Sequence, residues 1–162
     1  MKNLGFTMIE VLVVLSILAI LLAIAPSGFT TFIRGSEMVA NSNDIVGAFN
    51  YARMEAVKRG SPVQLGQRNG STWTGGMVVW IDKNSNGSFD VGVDEVLRFW
   101  EAYNSGNSLI SDHGITQFTF DATGGIDNAD VLRLCDNRSG EVGRDISVLS
   151  SGAIFADKVN CV

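Results

Sequence analysis

The pattern of apolar and polar positions changes twice along this 162-residue chain. Residues 6–25 form an apolar stretch that contains one charged side chain, Glu10. About 20 such residues are enough to cross the ~30 Å hydrocarbon core of a bilayer as a helix. Because Lys2 precedes the stretch, the sequence predicts a single membrane span with a cytoplasmic N-terminus and an exported C-terminal part.

The pattern becomes that of an amphipathic helix after Pro26 and Gly28, where a kink or local melting is expected. Apolar residues then recur at the helical spacing i, i+4, i+7 and i+11. This stripe consists of Ile45, Phe49, Ala52 and Ala56. Gly60, shortly before Pro62, is a stop signal. The sequence therefore predicts one long helix that ends near Arg59 and packs its second half on a domain.

Beyond Pro62 the helical period gives way to short runs of β-favouring residues between glycine-rich turns. The predicted strands are residues 62–67, 73–82, 95–103, 115–121, 131–135 and 144–149. The aromatic residues expected to fill their core are Trp73, Trp80, Phe99, Trp100, Phe118 and Phe120. Helix and strands together predict an α+β fold in which an antiparallel β-sheet domain lies over the helix.

Residues 5–10 (GFTMIE) resemble the processing motif of type IV pilins and type II secretion pseudopilins. The resemblance implies that a prepilin peptidase cleaves after Gly5 and methylates the new terminal amine of Phe6. It also implies that Glu10 pairs with the terminal ammonium of a neighbouring subunit, which would offset the cost of a carboxylate in the membrane. The alternative is a plain anchor in which Glu10 reaches the membrane interface.

Three further motifs narrow the resemblance to the FimT/FimU/GspH-type minor pilins. They are residues 51–60 (YARMEAVKRG), 73–76 (WTGG) and 82–87 (DKNSNG). The implied fold is pilin-like and has four parts. These are a leader peptide (1–5), a transmembrane and assembly helix (6–28), an amphipathic helix (29–60) and a periplasmic β-sheet domain (61–162).

The resemblance implies a non-catalytic subunit that helps to prime the assembly of a type IV pilus or forms its tip. The alternative is a GspH-like minor pseudopilin of a type II secretion system. The implied partners are prepilin peptidase and other minor and major pilins or pseudopilins. The implied location is the bacterial inner membrane, with the C-terminal domain in the periplasm, and then the pilus or pseudopilus.

The two cysteines, Cys135 and Cys161, both lie near the C-terminus. Export to an oxidising compartment favours a disulfide between them, although two buried free thiols are the alternative. The bridge would close a loop of about 25 residues, worth roughly 3 kcal/mol. Because there is no CxxC pair and only one histidine, His113, the sequence argues against a zinc site.

Residues 82–90 imitate the start of a calcium-binding loop, with glycine at the sixth position. The weak candidate ligands are Asp82, Asn84, Asn86 and Asp90. Val93 stands where the bidentate acid is expected, and a tight β-turn selects the same residue types. We therefore predict a plain hairpin, with no metal ion and no cofactor.

The sequence contains no convincing motif for catalysis or for nucleic-acid binding. Ser111, Asp112 and His113 are adjacent, and adjacent loop residues rarely converge on one substrate atom, so we predict that the protein is not an enzyme.

Some FimT-type relatives bind DNA through a C-terminal GRxR motif. Two segments could correspond to this motif: residues 143–146 (GRDI) have one arginine, next to an acid, and residues 152–155 (GAIF) have no basic residue. Because the net charge of the chain is also −5, we predict no DNA binding.

Overall fold

The computed structural model describes residues 5–103 and 106–161, without the side chains of residues 23–28. The chain divides into two compact units, Met1–Glu37 and Met38–Val162. The predicted leader, apart from Gly5, lies outside the described residues. The proposed boundaries after residues 5, 28 and 60 therefore stay predictions.

The secondary structure begins with one helix and continues with short strands. Helix α1 (Met8–Arg59) remains helical through residues 26 and 28, so the expected local melting does not occur. The strands are β1 (Val63–Gln67), β2 (Met77–Ile81), β3 (Glu95–Trp100), β4 (Ser108–Ser111), β5 (Gln117–Phe120), β6 (Asp130–Cys135), β7 (Gly140–Val148) and β8 (Ile154–Cys161).

The strands form two four-stranded antiparallel sheets, whereas one sheet was predicted. Sheet 1 has the order β3-β2-β1-β5 and sheet 2 has the order β4-β6-β7-β8. In sheet 1, Leu65 lies opposite both Val79 and Phe118. In sheet 2, Leu132 lies opposite Ile146. All five side chains are buried in a single core, so both sheets and the second half of α1 share it.

The predicted apolar stripe of α1 is confirmed. All four members of the stripe are fully buried: Ile45, Phe49, Ala52 and Ala56. The Phe49 ring packs edge-on against Phe118 and Phe120, with ring centroids 5.1 and 6.3 Å apart. Such pairs add to the free energy gained from burial, so this aromatic cluster anchors α1 to sheet 1.

The prediction that all strand aromatics fill the core is wrong for Trp80, which is buried outside the core cluster, and for Phe99, which is 44% exposed. Its strand, β3, is an edge strand of sheet 1, and Phe99 pairs with Val78. The neighbours of Val78 on β2, Met77 and Val79, point into the core. Because side chains alternate along a strand, Val78 and Phe99 lie on the opposite face.

The WTGG motif forms a short 3-10 helix, Trp73–Gly75, and not the start of a strand. Trp73 is buried, and its indole Nε1 donates to the carbonyl of Ile115 at 2.8 Å. Gly76 follows with φ +98°, and a Cβ there would lie 2.5 Å from the carbonyl oxygen of Trp100. Only glycine fits at this position, which explains why the motif ends in glycine.

A disulfide joins Cys135 at the end of β6 to Cys161 at the end of β8, with the two Cα atoms 5.8 Å apart. The predicted bridge is therefore confirmed. Strand β7 lies between these strands, and its Gly143 faces both sulfur atoms without a side chain in the way. The bridge thus connects the first and third of three neighbouring strands of sheet 2.

Candidate assembly site

The predicted cleavage and assembly residues lie at the start of α1. Residues 5–7 are not helical, and Phe6 is 81% exposed. The peptide bond between Gly5 and Phe6 is therefore outside regular structure, as a protease requires. Whether this bond is cut stays a prediction.

Thr7 caps the helix that follows. Its carbonyl accepts hydrogen bonds from the backbone N–H groups of Glu10 and Val11, at 3.1 and 3.3 Å. Its Oγ1 accepts a further bond from the N–H of Glu10 at 3.4 Å. Thr7 and Glu10 therefore occupy the first and last positions of a capping box, a signal that is readable in the sequence.

This position gives Glu10 a local role as well as the predicted one. A carboxylate in the first turn interacts favourably with the positive end of the helix dipole. The Glu10 side chain is exposed, and it forms no salt bridge with any of the described residues. Its carboxylate is therefore accessible to a second chain.

The surface around Glu10 is apolar on every side of the helix. All large apolar side chains from Phe6 to Leu22 are exposed, and the apolar residues Phe29, Phe32 and Ile33 are exposed too. Among the described residues, no helix combines the length and the apolar character needed to cross a membrane. An exposed apolar surface of this extent marks a site of contact with lipid or with other apolar helices.

The side chains of the candidate metal ligands form hydrogen bonds to groups within their own loop, residues 82–90. The two carboxylate oxygens of Asp82 accept hydrogen bonds from backbone N–H groups, one from Ser85 at 2.7 Å and the other from Gly87 at 2.8 Å. The amides of Asn84 and Asn86 donate to Asp90 at 2.9 and 2.6 Å, which lowers the pKa of Asp90 below its ordinary value. These are turn contacts, and no group of three or more acidic, histidine or cysteine side chains in the described residues could hold a metal ion.

The Ser111-Asp112-His113 segment does not form a catalytic triad. Ser111 Oγ donates to buried Asp130 and accepts the N–H of Ile115 at 2.6 Å. His113 lies in an exposed loop, as predicted, with Nδ1 2.7 Å from the other oxygen of Asp130. Burial alone would raise the pKa of Asp130, but the hydrogen bonds from Ser111 and His113 outweigh it and lower the pKa. Sequence reasoning missed Asp130, whose carboxylate organises this loop.

The residues considered for DNA contact are also engaged within the chain. The Arg144 guanidinium donates to the carbonyl of Gly143 at 2.8 Å. The neighbouring Asp145 forms a two-pronged ion pair with Arg133 across β6 and β7, at 2.8 and 2.9 Å. The three basic side chains on this part of sheet 2 are Arg133, Arg144 and Lys158, which lies opposite Arg144 on β8. The charge of Arg133 is neutralised by a carboxylate, which lowers the positive charge that could attract phosphate groups there.

An ion-pair network joins the end of α1 to β3. Arg59 bonds to Glu55 at 2.8 Å and to Glu95 at 2.9 Å, and Lys83 bonds to Glu95 at 2.8 Å. The hydrogen bond from Arg59 lowers the pKa of Glu55, which is 5% exposed. The network holds the last turn of α1 against the edge of sheet 1.

Comparison with known proteins relates this architecture to two families. The family described as Type II transport protein GspH matches residues 41–152, more than two thirds of the chain. A prokaryotic N-terminal methylation motif matches residues 1–26, which include Gly5, Phe6 and Glu10. No curated protein sequence matches the chain.

Two solved structures, both of the type IV minor pilin FimU from Pseudomonas aeruginosa PAO1, resemble the fold. The first is 19% identical, covers 78% of this chain and 92% of that chain, and has a TM-score of 0.67. The second, in another space group, is also 19% identical, covers 73% and 90%, and has a TM-score of 0.62. The predicted pilin-like α+β fold is confirmed by these similarities.

Proposed function

Because this chain belongs to the GspH family of type II transport proteins, we propose that it is a minor pilin that primes the assembly of a type IV pilus or forms its tip. The family consists of structural subunits and not of enzymes. One observation supports an assembly role most directly. An accessible carboxylate, Glu10, lies at the start of α1, where the large apolar side chains of residues 6–22 are all exposed.

The proposed mechanism begins with cleavage between Gly5 and Phe6 by prepilin peptidase in the inner membrane. Cleavage creates an ammonium group on Phe6, which is then N-methylated. The ammonium of one subunit and the Glu10 carboxylate of its neighbour attract each other strongly where water is excluded. Removing one partner of such a buried pair costs about 3–5 kcal/mol, so Glu10 would select correctly placed neighbours.

Intact mass spectrometry of the membrane-extracted protein from its native host tests the processing step. We expect the mass of residues 6–162 with one added methyl group and one disulfide. A full-length, unmethylated protein would contradict the proposed processing.

The assembly step needs a separate test. Glu10→Gln removes the charge and keeps the size, and Glu37→Gln in the same helix is the matched control. We expect Glu10→Gln to abolish crosslinking between this chain and other pilins, whereas Glu37→Gln keeps it. Equal crosslinking by both variants would contradict the role of Glu10 and would favour a plain anchor.

A second candidate function is a minor pseudopilin of a type II secretion system, which the description of the matching family favours. Both functions use the same processing and the same charge pair. Deletion of the gene distinguishes them. Loss of pili with normal protein export supports the pilus, whereas loss of export with intact pili supports the secretion system.

A further inference from the structure

A cavity of about 380 Å³ opens on the face of sheet 1 that points away from the core. It lies between the ends of β1 and β5 and the loop that connects β2 to β3. Trp80 of β2 lines it, and Phe89 of the loop packs on Trp80 with ring centroids 5.3 Å apart. The volume is within the range of about 300–1,000 Å³ that is typical of small-molecule sites.

Two buried polar atoms belong to side chains that line this cavity. Trp80 is 1% exposed, and its indole Nε1 has no hydrogen-bond partner among the described residues. Gln67 Oε1 is likewise buried and has none within the described part of the chain. Buried polar groups in proteins are almost always paired, so an unpaired donor and an unpaired acceptor beside one cavity indicate a ligand that offers both.

The rest of the lining selects against charged ligands. Asn69 and Gln117 contribute amides, and Ser88 and Thr116 contribute hydroxyl groups. Arg68 is the charged residue in the lining. Its guanidinium is paired with Glu101 at 3.0 Å and lies over the Phe99 ring, 4.8 Å from the centroid. A carboxylate or phosphate would find this cation already neutralised, and a cationic ligand would find no carboxylate among the described residues that line the cavity.

The topology also selects against an extended peptide. A peptide that binds as an additional strand needs a free sheet edge. Strands β2 and β1 are internal, and the free edge of β5, the third strand that lines the cavity, is the edge that faces away from β1. The polar groups instead converge from three separate segments of the chain. Such convergence fits a compact ligand.

We propose that this cavity binds a neutral sugar, as a single pyranose ring or the end of a glycan chain. Each sugar hydroxyl is both a donor and an acceptor, so neighbouring hydroxyls satisfy Trp80 Nε1 and Gln67 Oε1 together. The half-buried Phe89 ring offers an apolar surface to the C–H groups of the sugar. This site is independent of the proposed role in filament assembly.

The test follows the indole N–H signal of Trp80 by NMR in the full chain, held in a detergent that has no sugar headgroup. The probes are methyl glucoside, methyl galactoside and N-acetylglucosamine, and acetamide is the non-sugar control. We expect at least one sugar to shift this signal saturably. The indole signals of Trp73, already bonded to Ile115, and of Trp100, outside the cavity, should not move.

Two variants then test the two polar atoms by calorimetry. Trp80→Phe and Gln67→Ala should each weaken sugar binding by about fivefold to tenfold, the effect of one lost hydrogen bond. Trp100→Phe is the matched control and should keep the affinity. If Trp80→Phe does not fold, Gln67→Ala decides the question alone.

Three outcomes would overturn the proposal. If no sugar moves the Trp80 signal, the cavity holds only water. If acetamide alone moves it, the cavity takes an amide group and not a sugar. If sugars bind equally well to wild type and to Gln67→Ala, they bind elsewhere.

Discussion

The two parts of α1 differ in the exposure of their apolar side chains. In the unit Met1–Glu37, apolar side chains such as Ile17 and Phe32 are 54% and 70% exposed. In the unit Met38–Val162, Ile45 and Phe49 of the same helix are fully buried. The second unit therefore supplies its own core, whereas the first has an apolar surface that lipid or other subunits must cover. One helix thus has an exposed apolar surface in the first unit and a buried apolar stripe in the second.

The largest expected effect tests this difference directly. Phe49→Ala should destabilise the second unit by about 3–5 kcal/mol, because it removes a ring that packs between two other aromatic rings. Urea unfolding of the full chain in detergent, followed by the fluorescence of buried Trp73 and Trp80, measures the change. The control Phe32→Ala should change this free energy by less than about 0.5 kcal/mol. Similar losses in both variants would break the comparison.

The disulfide should have the next largest effect, and it should also be confined to the second unit. Replacing both Cys135 and Cys161 by alanine should lower the free energy of unfolding by about 2–5 kcal/mol, mainly because the unfolded chain gains freedom. The same urea titration measures it. Reductant should destabilise the wild type to a similar degree and leave the double variant unchanged. A double variant as stable as the oxidised wild type would contradict the prediction.

Much of the difference between the two units could be predicted from the spacing of apolar residues in the sequence. Burial on one side of a helix imposes the spacing that places Ile45 and Phe49 in the core, so the pattern reveals the contact. The disulfide was predictable for a similar reason, since two cysteines in an exported domain have few other uses. The capping box of Thr7 and Glu10 was also readable, although Glu10 was interpreted through assembly alone.

Other features depend on contacts that the sequence does not display. Strand β8 carries Asp157 and Lys158 at its centre, which favour a loop by composition, yet pairing with β7 makes it a strand. Trp80 was predicted to fill the core, but it lies on the outer face of sheet 1, because side chains alternate along β2. The loop that carries Phe89 covers it and creates the cavity. Both features arise from distant segments, which no local pattern encodes.

A smaller effect concerns the start of α1. Thr7→Ala should lower the opening free energy of the amides of Glu10 and Val11 by about 1 kcal/mol, because the capping hydrogen bond is lost. Amide hydrogen exchange of the full chain in detergent measures it residue by residue. Thr31→Ala, inside the exposed part of the helix, is the control and should not loosen these amides. Faster exchange throughout the second unit would show that the two units are not energetically separate.

The smallest effect is a pH dependence at the other end of the helix. Arg59 lowers the pKa of Glu55 from its ordinary value of 4.5 by a hydrogen bond to the charged form. Because the pKa is lower in the folded state, the pair stabilises the fold fully above the unfolded value, and this contribution is lost as the pH falls through the folded value. An i,i+4 pair of this kind contributes about 0.3–0.5 kcal/mol.

Glu55→Gln should therefore be slightly less stable than wild type at about pH 7. The difference should be smaller at about pH 3, because protonation of Glu55 in the unfolded state below its ordinary pKa removes part of the contribution of the pair. Urea midpoints at the two pH values measure it, and Glu141→Gln, at an exposed site on β7, is the matched control. A difference that grows on acidification would mean that Glu55 is held in its neutral form. The end of α1 would then be fastened to sheet 1 by packing and not by charge.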